Sequence, residues 1–261
     1  MTTVVWFKRD LRTRDHDPLA AAATLGEPVI PLYVVEPEYW QLPDTSARQW
    51  EFIEESLTDL RRQLRHLGAD LLVMTGPVKQ ALERLNSAYG IQRVFCHQET
   101  GGQWTFDRDR DVVGWCQEQG IEFREWQQFG VVRRLQDRDL WDKAWSQLMR
   151  QEPTPSPASL ATPDGLTGFA NPPSEMSLAN STPCPDRQAG GSQRGEKLLA
   201  SFLERRCVGY QYNISSPVSA VRACSRLSPH IAYGTVSLRE IYQARNTPAS
   251  TPAACPENSA A

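Results

Sequence analysis

The sequence predicts an α/β fold with a five-stranded, doubly wound parallel sheet, followed by a linker and an incomplete all-α region. Strand-like and helix-like segments alternate over the first 130 residues, which is typical of a parallel sheet with crossover helices. The short apolar runs of the strand-like segments fit strands that are buried on both faces. Beyond residue 194 the patterning is helical only.

The apolar runs place the five strands at Val4–Phe7, Val29–Val35, Asp70–Thr75, Arg93–His97 and Glu122–Gln127. Between the second and third strands, apolar residues recur at intervals of three and four and end at Gly68, which predicts an amphipathic helix with a C-terminal glycine. These residues are Trp50, Ile53, Leu57, Leu60, Leu64 and Leu67. Two further helices are indicated by Val78, Leu82 and Leu85, and by Phe106, Val113 and Cys116 before Gly120, the latter with Thr105 as its cap.

The composition changes after the sheet region, which we assign to residues 1–133. Residues 134–194 predict a linker, since eight prolines stand among Ser, Thr, Ala and Gly after residue 151. Helical patterning resumes over residues 195–245, with Leu199, Phe202 and Leu203 on one face. Residues 246–261 have the composition of disorder, and their abrupt change of character suggests a frameshift or a premature stop.

Composition excludes several classes of protein. No apolar run approaches the about 20 residues that span a bilayer, so a cytoplasmic location is expected. The six cysteines contain no C-x-x-C pair and the four histidines are isolated, which argues against a metal site. Residues 186–245 carry nine Lys and Arg against four acidic residues. This bias suits an anionic cofactor or a nucleic-acid backbone, or else is a solvated basic face.

The loop after the first strand contains Lys8, Arg9, Asp10 and Arg12, and no G-x-G-x-x-G or Walker sequence. It is therefore not a nicotinamide-dinucleotide fingerprint. The cations of this loop either meet a phosphate or, as we favour, form a structural ion-pair set that joins the loop to its domain.

The segment Ala223–Glu240 contains two adjacent helix starts. Ser228 is a good N-cap with Pro229 at the first helical position, and Ser237 and Glu240 have capping-box spacing. Ser225 and Arg226 lie just before the first start, so a hydroxyl, a guanidinium and unpaired N–H groups converge there. The segment predicts a binding site for a phosphate or pyrophosphate. The alternative is that its serines are only helix caps.

Two separated motifs resemble the photolyase/cryptochrome family. The first is the strand and loop Val4–Leu19, where the family's usual form has Asn at the position of His16, and the second is Ala223–Glu240 with Gly195 and Glu196 upstream. The resemblance implies a Rossmann-like N-terminal domain and the start of a helical FAD-binding domain. It also implies phosphate contacts from the family's Thr-Ser-Arg-Leu-Ser run and from a tyrosine, and these positions are occupied here by Tyr212, Cys224, Ser225, Arg226, Leu227 and Ser228.

The implied roles differ among these residues. Ser225 and Ser228 would bond phosphate oxygens, Arg226 would brace the segment or pair with an acid, and Leu227 would contribute its backbone. Cys224 departs from the family's Thr, and a thiol is a weaker donor than a hydroxyl. Tyr212 is either a phosphate contact or a buried aromatic residue, and His230 and Tyr233 are expected to be packing residues.

The resemblance further implies a monomeric, blue-light-dependent flavoprotein that repairs pyrimidine dimers in ultraviolet-damaged DNA by electron transfer from reduced FAD, with an antenna folate or deazaflavin in the first domain. All eight tryptophans precede residue 150, so the family's tryptophan relay has no counterpart in the helical region, and we expect weak FAD retention. The alternatives are a cryptochrome-like light sensor without repair activity and an inactive truncated product.

Overall fold

The sheet has the predicted five strands, and the computed structural model describes residues 1–173 and 177–246. The strands are β1 (Thr2–Phe7), β2 (Val29–Val35), β3 (Leu72–Thr75), β4 (Ile91–His97) and β5 (Glu122–Trp126). Their order is β3-β2-β1-β4-β5, and every neighbouring pair is parallel. The order reverses at β1, so the loops after β1 and β4 flank the crevice where ligands bind in doubly wound folds.

Helices cover both faces of the sheet and form the region that follows it. In the α/β part they are α1 (Asp17–Thr24), α2 (Ala47–His66), α3 (Val78–Tyr89) and α4 (Gln103–Gln119). The later ones are α5 (Trp141–Met149), α6 (Ser192–Glu204), α7 (Tyr210–Asn213), α8 (Ala220–Ala223), α9 (Ser228–Ala232) and α10 (Leu238–Asn246). No helix in these described ranges combines the length and the apolar composition needed to cross a membrane.

The central strand shows why the fold is doubly wound. Val4 and Trp6 pack into the core shared with α3 and α4, whereas Val5 and Phe7 pack into the core shared with α1 and α2. Successive strand side chains point to opposite faces, so a strand with apolar residues at every position needs helices on both sides.

The predicted helix and strand ends differ from the structure in small ways that have local causes. β3 begins at Leu72, not Asp70, because the Asp70 carboxylate accepts the Leu71 N–H and pairs with Arg65 in the preceding turn. α4 begins at Gln103 after Gly102, so the prediction that Thr105 caps it is wrong. Thr105 lies in the first turn and donates its hydroxyl to the Gly102 carbonyl. The predicted C-terminal glycines Gly68 and Gly120 do have positive φ.

The chain between the sheet and the helical region runs along the surface of the α/β part. Leu160 donates its N–H to the carbonyl of Leu67 at 2.6 Å, and Val29 donates to the carbonyl of Ala161 at 2.8 Å. Farther along, the guanidinium of Arg187 pairs with Glu51 and Glu55 on α2. These contacts fix the direction in which the chain enters α6. Apart from Asn246, the predicted disordered tail lies outside the described residues.

A set of contacts that we call the loop clasp joins the β1–α1 loop to the helical region. Leu11 donates its N–H to the Tyr233 carbonyl at 3.1 Å, and the Arg12 guanidinium donates to the Gly234 carbonyl at 2.9 Å. The loop clasp is completed by ion pairs from Arg239 to Asp15 at 2.6 Å and to Asp17 at 2.9 Å. The helical region is thus anchored to the α/β part. The contacts of Arg12 are thus structural, as favoured, but they are hydrogen bonds to carbonyl groups and not the predicted ion pairs.

The helical region also has a small core of its own. Leu199 and Leu203 on α6 pack with Leu227 and Val236. The predicted capping box at the start of α10 is present, with the Ser237 N–H bonded to the Glu240 carboxylate at 2.9 Å and the Glu240 N–H bonded to Ser237 Oγ at 3.0 Å.

A buried cluster of Asp10, His16 and His97 ties the same loop to β4. Asp10 Oδ2 lies 2.7 Å from His97 Nδ1 and 3.0 Å from His16 Nε2, and all three side chains are inaccessible to solvent. Burial alone would raise the pKa of Asp10, but the two imidazoles hold it well below its usual range. Burial lowers the pKa of His97 to about 3. The sequence-based view of the histidines as isolated was therefore wrong for this pair.

The loop clasp predicts a large cost for Gly234→Ala. A Cβ at this position would lie 2.1 Å from the Arg9 carbonyl oxygen, and the residue has φ +62°. Strain and overpacking together should reduce the free energy of unfolding by about 2–5 kcal/mol in urea titrations. Gly90→Ala is the matched control, because Gly90 has φ +60° and open space around it, and it should cost only about 1–2 kcal/mol. Equal losses for the two variants would contradict the close approach.

The buried histidines predict an acid-sensitive fold. Burial lowers the pKa of His97 to about 3 and that of His230 to about 4, whereas an unfolded histidine titrates near 6.5. The unfolded state therefore binds more protons below pH 6.5, and stability should fall by about 1.4 kcal/mol per pH unit for each histidine as the pH drops toward 4. Urea titrations between pH 7 and 4.5 measure this slope, and His230→Gln should remove about half of it. A flat profile would contradict the burial of neutral histidines.

Candidate functional site

The predicted phosphate-binding run, residues 224–228, is a loop between α8 and α9 with backbone N–H groups left over. Arg226 has φ +60°, an uncommon conformation for a non-glycine residue, and Leu227 follows in the right-handed region. Alternation of left- and right-handed residues turns successive N–H groups toward one side, a geometry that binds anions. Within the described chain the N–H groups of Ser225, Arg226 and Ser228 have no hydrogen-bond partner.

The side chains of this loop differ in exposure. Ser228 is exposed, and Ser225 is half-buried with its Oγ 3.5 Å from the Leu227 N–H. Leu227 is buried in the small helical core, so it anchors the loop and leaves only its backbone for a ligand. The Cys224 thiol is free and partly exposed. The loop thus offers hydroxyl and N–H donors on a fixed base.

Tyr212 lies apart from this loop on α7, and its side chain is 81% exposed. It therefore is not the buried aromatic residue that was the alternative interpretation. Its neighbour Tyr210 contacts Phe202 on α6, which fixes the position of this short helix.

The first predicted helix start has a different form from the one expected. Ser228 is the first residue of α9 and Leu227 is its N-cap, so Ser228 is not the cap. α9 has five residues, too few for an appreciable helix dipole. Any anion at residues 224–228 is therefore held by the loop's own donors and by nearby charge. His230 is a packing residue, as predicted, buried against Phe52 with its Nδ1 2.7 Å from Thr235 Oγ1.

Two guanidinium groups give the site a positive charge. Arg206 and Arg226 form no ion pair with any acidic group of the described residues. Burial lowers the pKa of Arg206 from its usual value, and the neighbouring charge of Arg226 lowers it further. Two unneutralised cations beside unpaired N–H groups favour an anionic ligand. Sequence reasoning identified Arg226 but missed Arg206, since no local motif marks it.

The crevice at the carboxyl ends of β1, β2 and β4 is filled by the protein itself. Arg108 lies over the Trp6 ring and pairs with Glu36 at 3.0 Å and with Asp109 at 2.7 Å. Lys8 pairs with Asp109 at 2.7 Å. The cavity that remains is about 50 Å³.

This cavity does not fit the antenna pigment that the resemblance implied. Sites for molecules of that size are usually about 300–1,000 Å³. Opening the crevice would separate buried ion pairs, which costs several kcal/mol when one partner is left alone. A folate or deazaflavin therefore does not fit this crevice in this conformation. A separate cavity of about 1080 Å³ lies beside the ends of β4 and β5, with Glu99, Arg133 and Arg134 in its lining.

The cluster of Asp10, His16 and His97 has the residue types of a metal site, but its hydrogen bonds favour a structural role. His16 Nδ1 accepts the Leu19 N–H at 3.1 Å. A neutral imidazole then carries its proton on Nε2, the atom that faces Asp10, and that atom has no lone pair for a metal. Among the described residues this is the one such cluster, and it joins the β1 loop, α1 and β4.

Comparison with known proteins agrees with the fold and with the family that the two motifs indicated. The DNA photolyase family model matches residues 3–133, which is half of the chain. The chain is 27% identical to cryptochrome DASH of Natronomonas pharaonis, covering 93% of this chain and 55% of that protein. It is also 27% identical to a deoxyribodipyrimidine photo-lyase of Halobacterium salinarum, covering 92% and 53%. The chain thus spans about half the length of these curated relatives.

Solved structures share the fold over nearly the whole chain. A class III photolyase from Agrobacterium tumefaciens has a TM-score of 0.76 at 22% identity, covering 97% of this chain and 54% of that one. An archaeal photolyase from Sulfolobus tokodaii, solved with two FAD molecules, has a TM-score of 0.71 at 24% identity, covering 94% and 55%. With its parallel sheet, its β1 loop and its match over residues 3–133, the chain belongs to the DNA photolyase family.

Proposed function

We propose that residues 224–228 bind the diphosphate of FAD and that the chain is part of a photolyase-like flavoprotein. In this proposal residues 1–133 are the α/β domain, 134–194 the linker and 195–245 the part of the FAD-binding helical domain present here. The observation that carries it is the loop with a left-handed Arg226, together with N–H groups and two guanidinium groups that have no hydrogen-bond acceptor and no acidic partner, respectively, among the described residues. Solved relatives with the same fold include one that holds FAD.

Each residue of the loop has a proposed part in holding the diphosphate. Ser225 and Ser228 donate hydroxyl hydrogen bonds, and the N–H groups of Ser225, Arg226 and Ser228 donate from the backbone. Arg226 supplies positive charge, Cys224 contributes mainly through its place in the loop, and Leu227 anchors the loop and contributes its backbone. Tyr212, exposed on α7, is the further residue proposed to contact the phosphates.

The activity proposed for the whole protein is light-driven repair of pyrimidine dimers in ultraviolet-damaged DNA. FAD, when bound, supplies the electron that splits the dimer, and the protein binds, orients and shields it. The excess of basic residues over residues 186–245 favours a polyanionic partner. A cryptochrome-like sensor that binds the same flavin is the alternative, and blue-light repair of irradiated oligonucleotides separates the two.

The proposal predicts that FAD binding depends on the hydroxyls of the loop. Ser225→Ala and Ser228→Ala should each weaken FAD binding about tenfold or more, because a hydrogen bond to a charged group contributes about 1.5–3 kcal/mol. Fluorescence anisotropy of FAD, titrated with protein, measures the affinity. Pyrophosphate and ADP should compete with FAD.

Two controls distinguish FAD binding at this site from nonspecific binding of FAD to the protein. Ser215→Ala changes an exposed serine of the same region outside the loop and should leave the affinity within about twofold. Riboflavin, which has no phosphate, should bind weakly and should be insensitive to all three variants. FAD binding that survives both loop substitutions would contradict the proposed site.

A further inference from the structure

Arg206 lies behind the loop of residues 224–228 and holds it by its carbonyl groups. Its Nη1 donates to the carbonyl of Cys224, and its Nη2 lies 3.3 Å from the carbonyl of Ser225. Two successive peptide groups are thus turned with their oxygens toward one guanidinium. The N–H groups of the same two peptides, those of Ser225 and Arg226, point to the opposite side. They have no partner in the described chain and are left for a ligand.

The guanidinium is itself held in place from the opposite side. Nη2 donates to the Leu198 carbonyl at 2.6 Å and to Ser201 Oγ at 3.0 Å, and Nε donates to Ser201 Oγ at 3.2 Å. Arg206 also lies over the Phe202 ring, 5.8 Å from its centre. The planar fork therefore connects α6 to the loop in one orientation, which a lysine ammonium does not reproduce.

All of these hydrogen-bond acceptors are neutral oxygens. Burial of a charged side chain is usually accompanied by an opposite charge, whereas the half-buried Arg206 pairs with no carboxylate of the described residues, and the charge of Arg226 acts on it as a second cation. Bringing these two charges together is unfavourable unless an anion lies between or beside them. The charge and the geometry of Arg206 thus point toward the same ligand-binding loop.

We propose that Arg206 is a positioning residue for the diphosphate site, orienting the peptide groups of Cys224 and Ser225 so that the loop presents N–H donors, and adding uncompensated positive charge behind them. The inference rests on the proposed function of the loop. It assigns the arrangement of that loop to a residue 18 positions before Cys224, outside the motif.

Isothermal titration calorimetry of the full chain with inorganic pyrophosphate, and separately with FAD, tests this. Arg206→Met should weaken the binding of both at least tenfold. Arg206→Lys keeps the positive charge but loses the planar guanidinium, and its binding of both ligands should still be at least fivefold weaker than that of the wild type. Arg205→Met is the matched control: the exposed Arg205 carries the same charge next to Arg206 without loop contacts, and its removal should change affinity by less than about twofold.

A further variant tests positioning without touching the charge or the loop. Ser201→Ala removes the hydroxyl that holds Nε and Nη2, and should weaken pyrophosphate binding about three- to tenfold with the fold intact by circular dichroism. Wild-type affinity in both Arg206→Lys and Ser201→Ala would overturn positioning and leave only a charge effect. If Arg206→Met binds pyrophosphate as tightly as Arg205→Met does, both the positioning role and the charge role of Arg206 are overturned.

The wild-type chain separates this inference from the proposed function. Pyrophosphate binding that depends on Arg206, without measurable FAD binding, would sustain the inference and contradict the FAD proposal. Saturable binding of neither ligand would overturn the site together with the role of Arg206.

Discussion

The hydrogen bonds of Arg12 are the constraint on which the rest of this structure depends. The guanidinium bonds the Asp15 carbonyl in its own loop and the Gly234 carbonyl in the helical region, so it fixes the loop's shape and the docking of α9 and α10 together. Gly234 permits this because any side chain there would meet the Arg9 backbone. Since Leu227, at the end of the 224–228 loop, packs in the same small core as Val236, the loop clasp also places the proposed phosphate site.

Because the β1 loop makes internal contacts, the proposed phosphate site lies in another part of the chain. In many doubly wound folds the first loop binds a nucleotide phosphate, but here its cations are engaged in internal contacts. The adjoining crevice is filled by the Arg108 and Lys8 ion pairs and keeps only about 50 Å³. Among the described residues, N–H donors without a partner are found instead in the loop of residues 224–228, near the charges of Arg206 and Arg226. In the proposed function, the α/β part thus acts as a scaffold for a phosphate site in the helical region.

Local patterns were sufficient to predict much of this fold. The alternation of strand-like and helix-like segments located all five strands, and the spacing of Ser237 and Glu240 predicted a capping box that is present. The pairing of His16 with His97 could not be predicted, because the two residues are distant in sequence and come together only in the folded chain, with 4.6 Å between their ring centres and Asp10 beside both. The same holds for Arg206, which is identified by contacts with carbonyl groups that any residue type could supply. Strand and helix ends depend on side-chain bonds such as that of Asp70, which periodicity does not show.

The loop clasp, and not the helical region alone, is expected to fix the proposed phosphate loop. Hydrogen–deuterium exchange on the wild type and on Arg12→Met measures this. Exchange of residues 224–240 should become faster in the variant, together with that of residues 8–17, while the strands β2 and β3 keep their protection. Unchanged protection of residues 224–240 in a variant whose β1 loop has become mobile would contradict it.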